Sequence, residues 1–562
     1  MTRQLNLVFR VLYVLLAFNM GYTQELQLNI ISTDPVETTI INSIGYSKIF
    51  DNFKTLETEV QSLKNKLHQQ GFIETRVLKI LEDRPLVVAQ LSLGKKYDSI
   101  RLYADKSLFE FLELEGIKNP ENSPYYIVEL TALENFLNTL TNFLTAKSYP
   151  FASVSLKNIS TNEGSILSAN LSIITKKSRQ LHSVEIKGYE KFPRSFIKRY
   201  LGIKTNTPFD LKSIRSKTDA LDQLSFSKQL RPAEVLFTQD TTRVYLYLKK
   251  TKSNRFDGFI GFGSDETSGG LELNGYLNLN LVNNLNFGET FRLNYRSDEN
   301  DQKTFNTQLT LPYLFKTPIG SELELTIFKK DSTFTTTEQA ANVYYQITPK
   351  QKLFLGLRST QSNSLALENS SNLLDYKTNA YEIKYTYIKR NSKNPLFPVN
   401  SALEIRLSTA NRKTLDRQTN QSLYLLKAFK LFNLTAKNSF YLNIHAQKID
   451  SETLLLNELI RFGGINSIRG FEENSIDASG LVVVVSEYRY QLSPTLYVHS
   501  IIDAANFETP RQSNQKLYGF GFGFGLLTNA GLLKFNLANG KTEAQNFKFS
   551  DSKVHLSIIA TF

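Results

Sequence analysis

From about Phe256 to Phe562 the chain follows a period of two, and this alternation restricts its architecture more than any other feature. Leu271, Leu273, Leu277, Leu279 and Leu281 share one parity, while Glu272, Asn274, Asn278 and Asn280 share the other. Phe291, Leu293 and Tyr295 alternate with Arg292, Asn294 and Arg296; Tyr381, Ile383, Tyr385 and Tyr387 with Glu382, Lys384 and Thr386; Leu403, Ile405 and Leu407 with Glu404 and Arg406. Successive strand side chains point to opposite faces, so each segment has one apolar face and one polar, charged face. A soluble sandwich has no room for charges on the second face of so many long strands, whereas a water-filled membrane barrel does. Sixteen strands are predicted between residues 255 and 562, eleven before a long connection at about Asp450–Ser479 and five after it. An even number lets an antiparallel sheet close. Short turns such as Gln491–Thr495 and Thr528–Ala530 alternate with longer polar loops such as Gln361–Asn372 and Asn506–Gln515, which gives the barrel two distinct ends. Trp is absent, so Tyr and Phe must form the interfacial girdles.

The other end of the chain supplies an address. Arg3 and Arg10, the apolar run Val11–Phe18 and the small, polar Gly21-Tyr22-Thr23-Gln24 are laid out as a secretory signal peptide, placed at residues 1–24. Such a run is far too short to span a bilayer as a helix. A mean hydropathy of −0.27 is compatible with a membrane barrel, where only every second strand residue faces lipid. No cysteine is present, so neither a disulfide nor a lipidated N-terminal cysteine is expected. His68, His182, His445, His499 and His555 are scattered without metal-ligand spacing, and no phosphate loop or nucleophile elbow occurs. The expectation is therefore no catalytic residue, no metal site and no cofactor.

Residues 25–254 read as three α+β modules, 25–96, 97–178 and 179–254, ahead of a barrel at 255–562. The first has a strand at Leu26–Ile31 and a long helix near Ser47–Gln70, on which Ile49, Phe50, Phe53, Leu56, Val60, Leu63 and Leu67 recur every three or four residues. Gly71-Phe72 ends that helix and opens a strand, followed by a second at Leu86–Leu93. The second has a strand at Ser99–Tyr103, a helix carrying Leu133, Phe136, Leu137, Leu140 and Leu144, then Tyr149-Pro150-Phe151-Ala152 leading into two strands. In the third, a strand at His182–Gly188 precedes a short helix opened by Pro193 and a second helix capped by Asp210, with Leu211, Ile214, Leu221 and Leu224 on one face. Strands at Glu234–Thr238 and Arg243–Leu248 close it. This order, with Ile186-Lys187-Gly188 and Pro208-Phe209-Asp210, resembles the POTRA module. Small mixed sheets offer open edges to which an extended chain can add as a strand. Charge is uneven: residues 25–175 hold 14 Lys/Arg against 18 Asp/Glu, residues 176–254 hold 18 against 7. A basic module next to a membrane domain suits anionic head groups or acidic protein surfaces. Nucleic acid, the usual alternative, is excluded by the export signal.

The long connection contains Gly463-Gly464-Ile465-Asn466-Ser467-Ile468-Arg469-Gly470-Phe471, an apolar, Gly-rich stretch with one arginine that suits a loop folded into a lumen rather than a surface loop. Here the chain resembles the BamA/TamA superfamily of outer-membrane assembly and two-partner secretion barrels, whose lumen loop carries a Val/Ile-Arg-Gly-Phe/Tyr motif, matched by Ile468, Arg469, Gly470 and Phe471. Asn286, Phe287 and Glu289 within Asn278–Glu289, the Pro395–Pro398 turn, the alternating glycines of Gly519–Gly525 and the Thr528–Gly531 turn match further family phrases. The family's acidic position is matched by Asp503, with Glu487 a second candidate partner for Arg469; Ala505 stands where the family usually has glycine. Val554, Leu556, Ile558, Ala560 and Phe562 look like the terminal signal of barrel clients.

The resemblance implies an outer-membrane protein with periplasmic modules that receive unfolded outer-membrane or secreted clients and pass them to the barrel. It implies a weak seam between the first strand (Phe256, Gly258, Gly261) and the last (Phe562), which opens laterally to template a client strand. Outer-membrane lipid is a further partner, and periplasmic or inner-membrane accessory subunits stay open. Three modules look most like the TamA branch. The alternative is a two-partner secretion pore, which usually has two modules and a plug helix; a passive porin would explain the barrel alone.

Overall fold

A computed structural model describes residues 25–104, 125–161, 164–264, 271–297, 302–365, 373–391, 394–543 and 552–561. The expected signal peptide at 1–24 and the terminal Phe562 lie outside them. The chain divides into two compact units, one running to Gln180 and including Pro208–Asp210, the other comprising Leu181–Thr207 and everything from Leu211 onward. Among the described residues no helix is long and apolar enough to cross a membrane.

The first unit holds two α+β sheets. Strands β1 (Leu26–Ser32), β2 (Ile49–Phe50), β3 (Arg76–Asp83) and β4 (Leu86–Ser92) form a sheet in the order β2-β1-β4-β3, with β1 parallel to β4. Helices α1 (Pro35–Ile44) and α2 (Phe53–Gln69) cover one face, where Leu56, Val60, Leu63 and Leu67 pack on Leu28, Ile30, Val87, Ala89 and Leu91. Two expectations need correction. The long helix near Ser47–Gln70 starts only at Phe53, because Asn52 caps it by accepting from Thr55 N, and Ile49 and Phe50 instead pair with Gln27 and Leu26. Helix α1 was not anticipated, although Asp34 accepts from Val36 N and Pro35 occupies its first turn. The second sheet comprises β5 (Ser99–Tyr103), β6 (Tyr125–Glu129), β7 (Ser153–Thr161) and β8 (Ile166–Ile174) in the order β6-β5-β8-β7, packed by α3 (Leu130–Ala146). Strand β6 is a further addition to the sequence reading.

The second unit begins with β9 (Ser183–Lys187), α4 (Ser195–Arg199), α5 (Leu211–Thr218), β10 (Ser227–Phe237) and β11 (Thr242–Lys250), in sheet order β10-β11-β9. Again the first strand runs parallel to the last. Helix α5 is shorter than expected: a 3-10 turn at Asp219–Gln223 carries the buried Leu221, and Leu224 is already extended.

The barrel follows in the same unit. Its first eleven strands are β12 (Arg255–Ser264), β13 (Leu271–Val282), β14 (Thr290–Ser297), β15 (Gln302–Leu311), β16 (Ile319–Lys330), β17 (Phe334–Thr348), β18 (Gln351–Ser364), β19 (Tyr376–Arg390), β20 (Val399–Lys413), β21 (Gln418–Asn433) and β22 (Asn438–Ser451). After the short β23 (Ile460–Phe462) and β24 (Ile476–Ala478) come β25 (Gly480–Gln491), β26 (Leu496–Glu508), β27 (Gln515–Leu527), β28 (Leu532–Thr542) and β29 (Lys553–Thr561). The sixteen antiparallel strands close as a barrel, β29 meeting β12. Register follows the hydrophobic parity. Leu355 opposes Ile383, and Leu407 opposes Tyr424, with all four exposed on the outer wall where lipid would cover them. The other parity points inward and is charged: Arg358 bonds Glu324, Glu338 and Glu382, while Lys384 bonds Glu322 and Glu324.

Candidate lumen latch and barrel seam

The connection between β22 and β25 folds into the barrel because its apolar residues have somewhere to go. Phe462 and Ile468 are buried against the inward-facing Leu481, Val483, Phe507 and Leu517, and burial of such side chains stabilises by roughly 1.5–3 kcal/mol each. The β23–β24 pair forms a hairpin stem, Ile460 opposite Ala478 and Phe462 opposite Ile476. Gly463 and Gly464, at φ +117° and +90°, let the chain leave that stem in the left-handed region.

Arg469 lies at the far end of this loop and is only 4% exposed. Its Nε and Nη2 donate to Asp503 Oδ2 at 2.8 Å and Oδ1 at 2.6 Å, a bidentate fork, and its backbone N donates to the same carboxylate at 3.1 Å. Nη1 donates to Glu487 Oε1 at 2.5 Å, while Glu487 Oε2 accepts from Arg489 Nε at 2.7 Å. The two acids expected as partners thus hold the arginine together, Asp503 with two side-chain bonds and Glu487 with one. Asp503 and Glu487 sit on the adjacent strands β26 and β25.

Glycine makes the approach possible. Gly470 has φ +90°, and a Cβ there would strike the backbone of Asn539 and Gly540 on β28. A Cβ on Gly540 would meet the Gly470 carbonyl and the Phe471 ring, and one on Gly519 of β27 would meet the Arg469 carbonyl. The Ile468–Phe471 backbone therefore rests directly on the wall.

Further ties went unnoticed in the sequence. Arg412 Nη1 on β20 donates to Glu458 Oε1 at 2.5 Å and to Thr453 O at 3.1 Å, and Glu458 Oε2 accepts from Gln421 at 3.0 Å. Asn457 donates to Ser362 Oγ at 2.8 Å on β18, and Arg461 lies over Phe328 and Phe334. Arg296, Lys330 and Lys553 pair with Glu473, Asp477 and Glu472. No local motif marks these residues, since each partner comes from a different strand. Together they fasten the loop to walls on many sides of the lumen.

At the seam, β12 pairs with β13 along its whole length, from Arg255 opposite Asn280 to Ser264 opposite Leu271. Toward β29, only Arg255–Thr561 and Phe256–Ala560 are in register among the described residues. Gly258 packs against β13 so closely that a Cβ would press on Tyr276 O. Beyond Phe256, then, Gly258 and Gly261 lie on a stretch of β12 with no ladder partner on the β29 side among the described residues.

The turn from β13 to β14 joins the barrel to the module before it. Glu289 accepts from Leu285 N at 2.7 Å and Phe287 N at 3.1 Å, and Asn283 Oδ1 accepts from Gly288 N at 2.7 Å. Asn283 Nδ2 donates to Tyr189 Oη at 2.7 Å, and Phe196 packs edge-on to Tyr313 at 4.9 Å. Burial pushes the Tyr189 phenol up, so it stays neutral here.

Residues 283–553 match the model of the Omp85 superfamily domain. No curated protein matches the chain. Among solved structures, CdiB from Acinetobacter baumannii aligns with 16% identity and a TM-score of 0.53, covering 90% of this chain and 97% of that one. CdiB from Escherichia coli aligns with 13% identity and a TM-score of 0.51, covering 90% and 98%. BamA from Haemophilus ducreyi lacking POTRA domains 1–3 aligns with 14% identity and a TM-score of 0.49, covering 83% and 100%.

Proposed function

We propose that this chain, whose outer-membrane barrel belongs to the Omp85 superfamily, is an assembly factor that inserts unfolded client proteins into the outer membrane. The observation that carries this reading is the seam. Every other strand boundary of the barrel is paired over seven or more positions, as Leu532–Ile559 to Ala538–Lys553 illustrates for β28 and β29. Among the described residues, the closing boundary has two. Backbone N–H and C=O groups left open on β12 and β29 are templates for an incoming strand, and such pairing reads backbone rather than sequence.

Two other features favour the lateral route. The lumen loop is latched through Arg469 and Arg412, which opposes threading a chain along the barrel axis. In the three N-terminal sheets the long edge strands β3, β7 and β10 are interrupted by register shifts, a common guard against unwanted pairing. Strand β9 is an edge without such a shift, a short landing place for a client next to the barrel. On this account Arg469, Asp503 and Glu487 are the latch, and Phe256, Gly258, Gly261 and Phe562 mark the gate. The three modules divide near residues 96, 178 and 254.

Reconstitution tests the reading. Liposomes carrying the full chain should fold a urea-denatured outer-membrane barrel several-fold faster than empty liposomes. Equal rates, together with passage of a secreted client into the liposome interior, would instead establish a secretion pore.

A further inference from the structure

A cavity of about 280 Å³ lies inside the barrel mouth, beneath the module that precedes it. Its roof is Tyr200 and Gln223. Arg390 N donates to Gln223 Oε1 at 2.9 Å, Gln223 Nε2 donates to Arg390 O at 3.5 Å, and Tyr200 Oη donates to Pro349 O at 3.4 Å. These bonds hold the roof to the ends of β18 and β19. The inner wall is Tyr344, whose buried hydroxyl has no hydrogen-bond partner.

The charges around this space do not balance. Its two carboxylates are occupied: Glu322 pairs with Lys384, and Glu404 pairs with Arg406 at 3.1 Å. Arg292, Lys352 and Arg390 also line it, and among the described residues none of the three has a carboxylate within ion-pair distance. Arg292 donates only to Gln308 at 3.2 Å, and the Lys352 ammonium sits over the Tyr344 ring at 4.4 Å. Arg390 further lies in the field of Arg292 and of Arg255 at the start of β12. Like charges gathered in a partly dehydrated space repel strongly. A folded chain keeps such a cluster where a counter-charge is supplied from outside.

We propose that this cavity is an oxyanion site, built for a phosphate group held by Arg292, Lys352 and Arg390 with the Tyr344 hydroxyl as a neutral donor. Guanidinium forks match the spacing of phosphate oxygens, and an ammonium adds a point charge. The orphaned hydroxyl gains a partner at the same time. All four groups stand on barrel strands, Arg292 on β14, Tyr344 on β17, Lys352 on β18 and Arg390 on β19, so a bound phosphate links these strands beneath the roof. The phosphate source is either a free anion or the head group of a phospholipid, and the site is independent of which client the barrel serves.

Equilibrium dialysis of the refolded full chain in detergent, against radiolabelled inorganic phosphate in chloride buffer of fixed ionic strength, tests this. One saturable site per chain is expected. Arg390→Gln and Lys352→Met should each weaken it about tenfold or more, the loss expected for one charge-assisted bond. Lys413→Gln, at the opposite end of β20, should leave it unchanged. Heat-modifiable gel migration confirms that each variant has folded. Competition by short-chain phosphatidylglycerol identifies a head-group site, and lack of competition a site for free phosphate. Absence of saturable binding, or binding that both Arg390→Gln and Lys352→Met leave intact, would overturn the assignment.

Discussion

At the scale of single residues, Arg469 carries the heaviest electrostatic role in the lumen loop. It neutralises Asp503 with a fork and shares Glu487 with Arg489. Arg469→Ala would leave Asp503 without its cation in a site where it is 1% exposed, at about 1.5–3 kcal/mol for each charge-assisted bond lost. The loop should then detach while the barrel still forms, with faster protease cleavage near Gly464 and larger conductance in planar bilayers. Gly470→Ala should have the same outcome for a steric reason, since its Cβ would meet the β28 backbone and φ +90° disfavours any side chain. Wild-type conductance and cleavage in both variants would remove the latch from the account. Arg469 was legible because a short, unusual motif singled it out, and Asp503 because the family resemblance places an acid there, with Glu487 as a second candidate. Arg412 and Glu458 were not, although their bond is as short; 46 residues separate them and neither stands in a distinctive phrase.

At the scale of elements, long periodic segments were legible and short ones were not. Strands such as β19 and β20 are 15 residues long and alternate over Tyr381–Tyr387 and Leu403–Leu407, so their faces are unambiguous. Strand β2 has two residues, and its Ile49 and Phe50 fit the helical spacing of the segment after them, so only pairing with β1 decides their state. Strands β23 and β24 are three residues each and exist because the loop is enclosed. The outer ends of several strands also run further than the sequence reading placed them, with β26 reaching Glu508 and β27 starting at Gln515. The elements with fewest partners should open most readily. Amide exchange in micelles should therefore be faster in Phe259–Gly263 and Leu556–Ile559 than in β19, β20 or β21. Uniform protection around the barrel would mean that the seam is no weaker than its neighbours.

At the scale of the whole molecule, the alternation of parity settled both the barrel and its strand number, because a strand slipped by one residue would turn charges such as Lys384 and Glu382 toward lipid. Position of the loop after eleven strands follows from the same count. A weak seam between the first and last strands was implied by the family resemblance; what sequence could not supply was its register, Arg255 opposite Thr561 and Phe256 opposite Ala560, which depends on how two ends far apart in the chain meet. That weakness is also where the functional account stands or falls. The chain contains no cysteine, so Phe256→Cys with Ala560→Cys introduces a single possible crosslink across a registered pair of the seam. Insertion of a denatured barrel client should be measured in liposomes with this variant oxidised and then reduced. The account predicts loss of insertion on oxidation, recovery on reduction, and conductance through the lumen unchanged by either. Full insertion by a barrel whose seam is verified as crosslinked would contradict it.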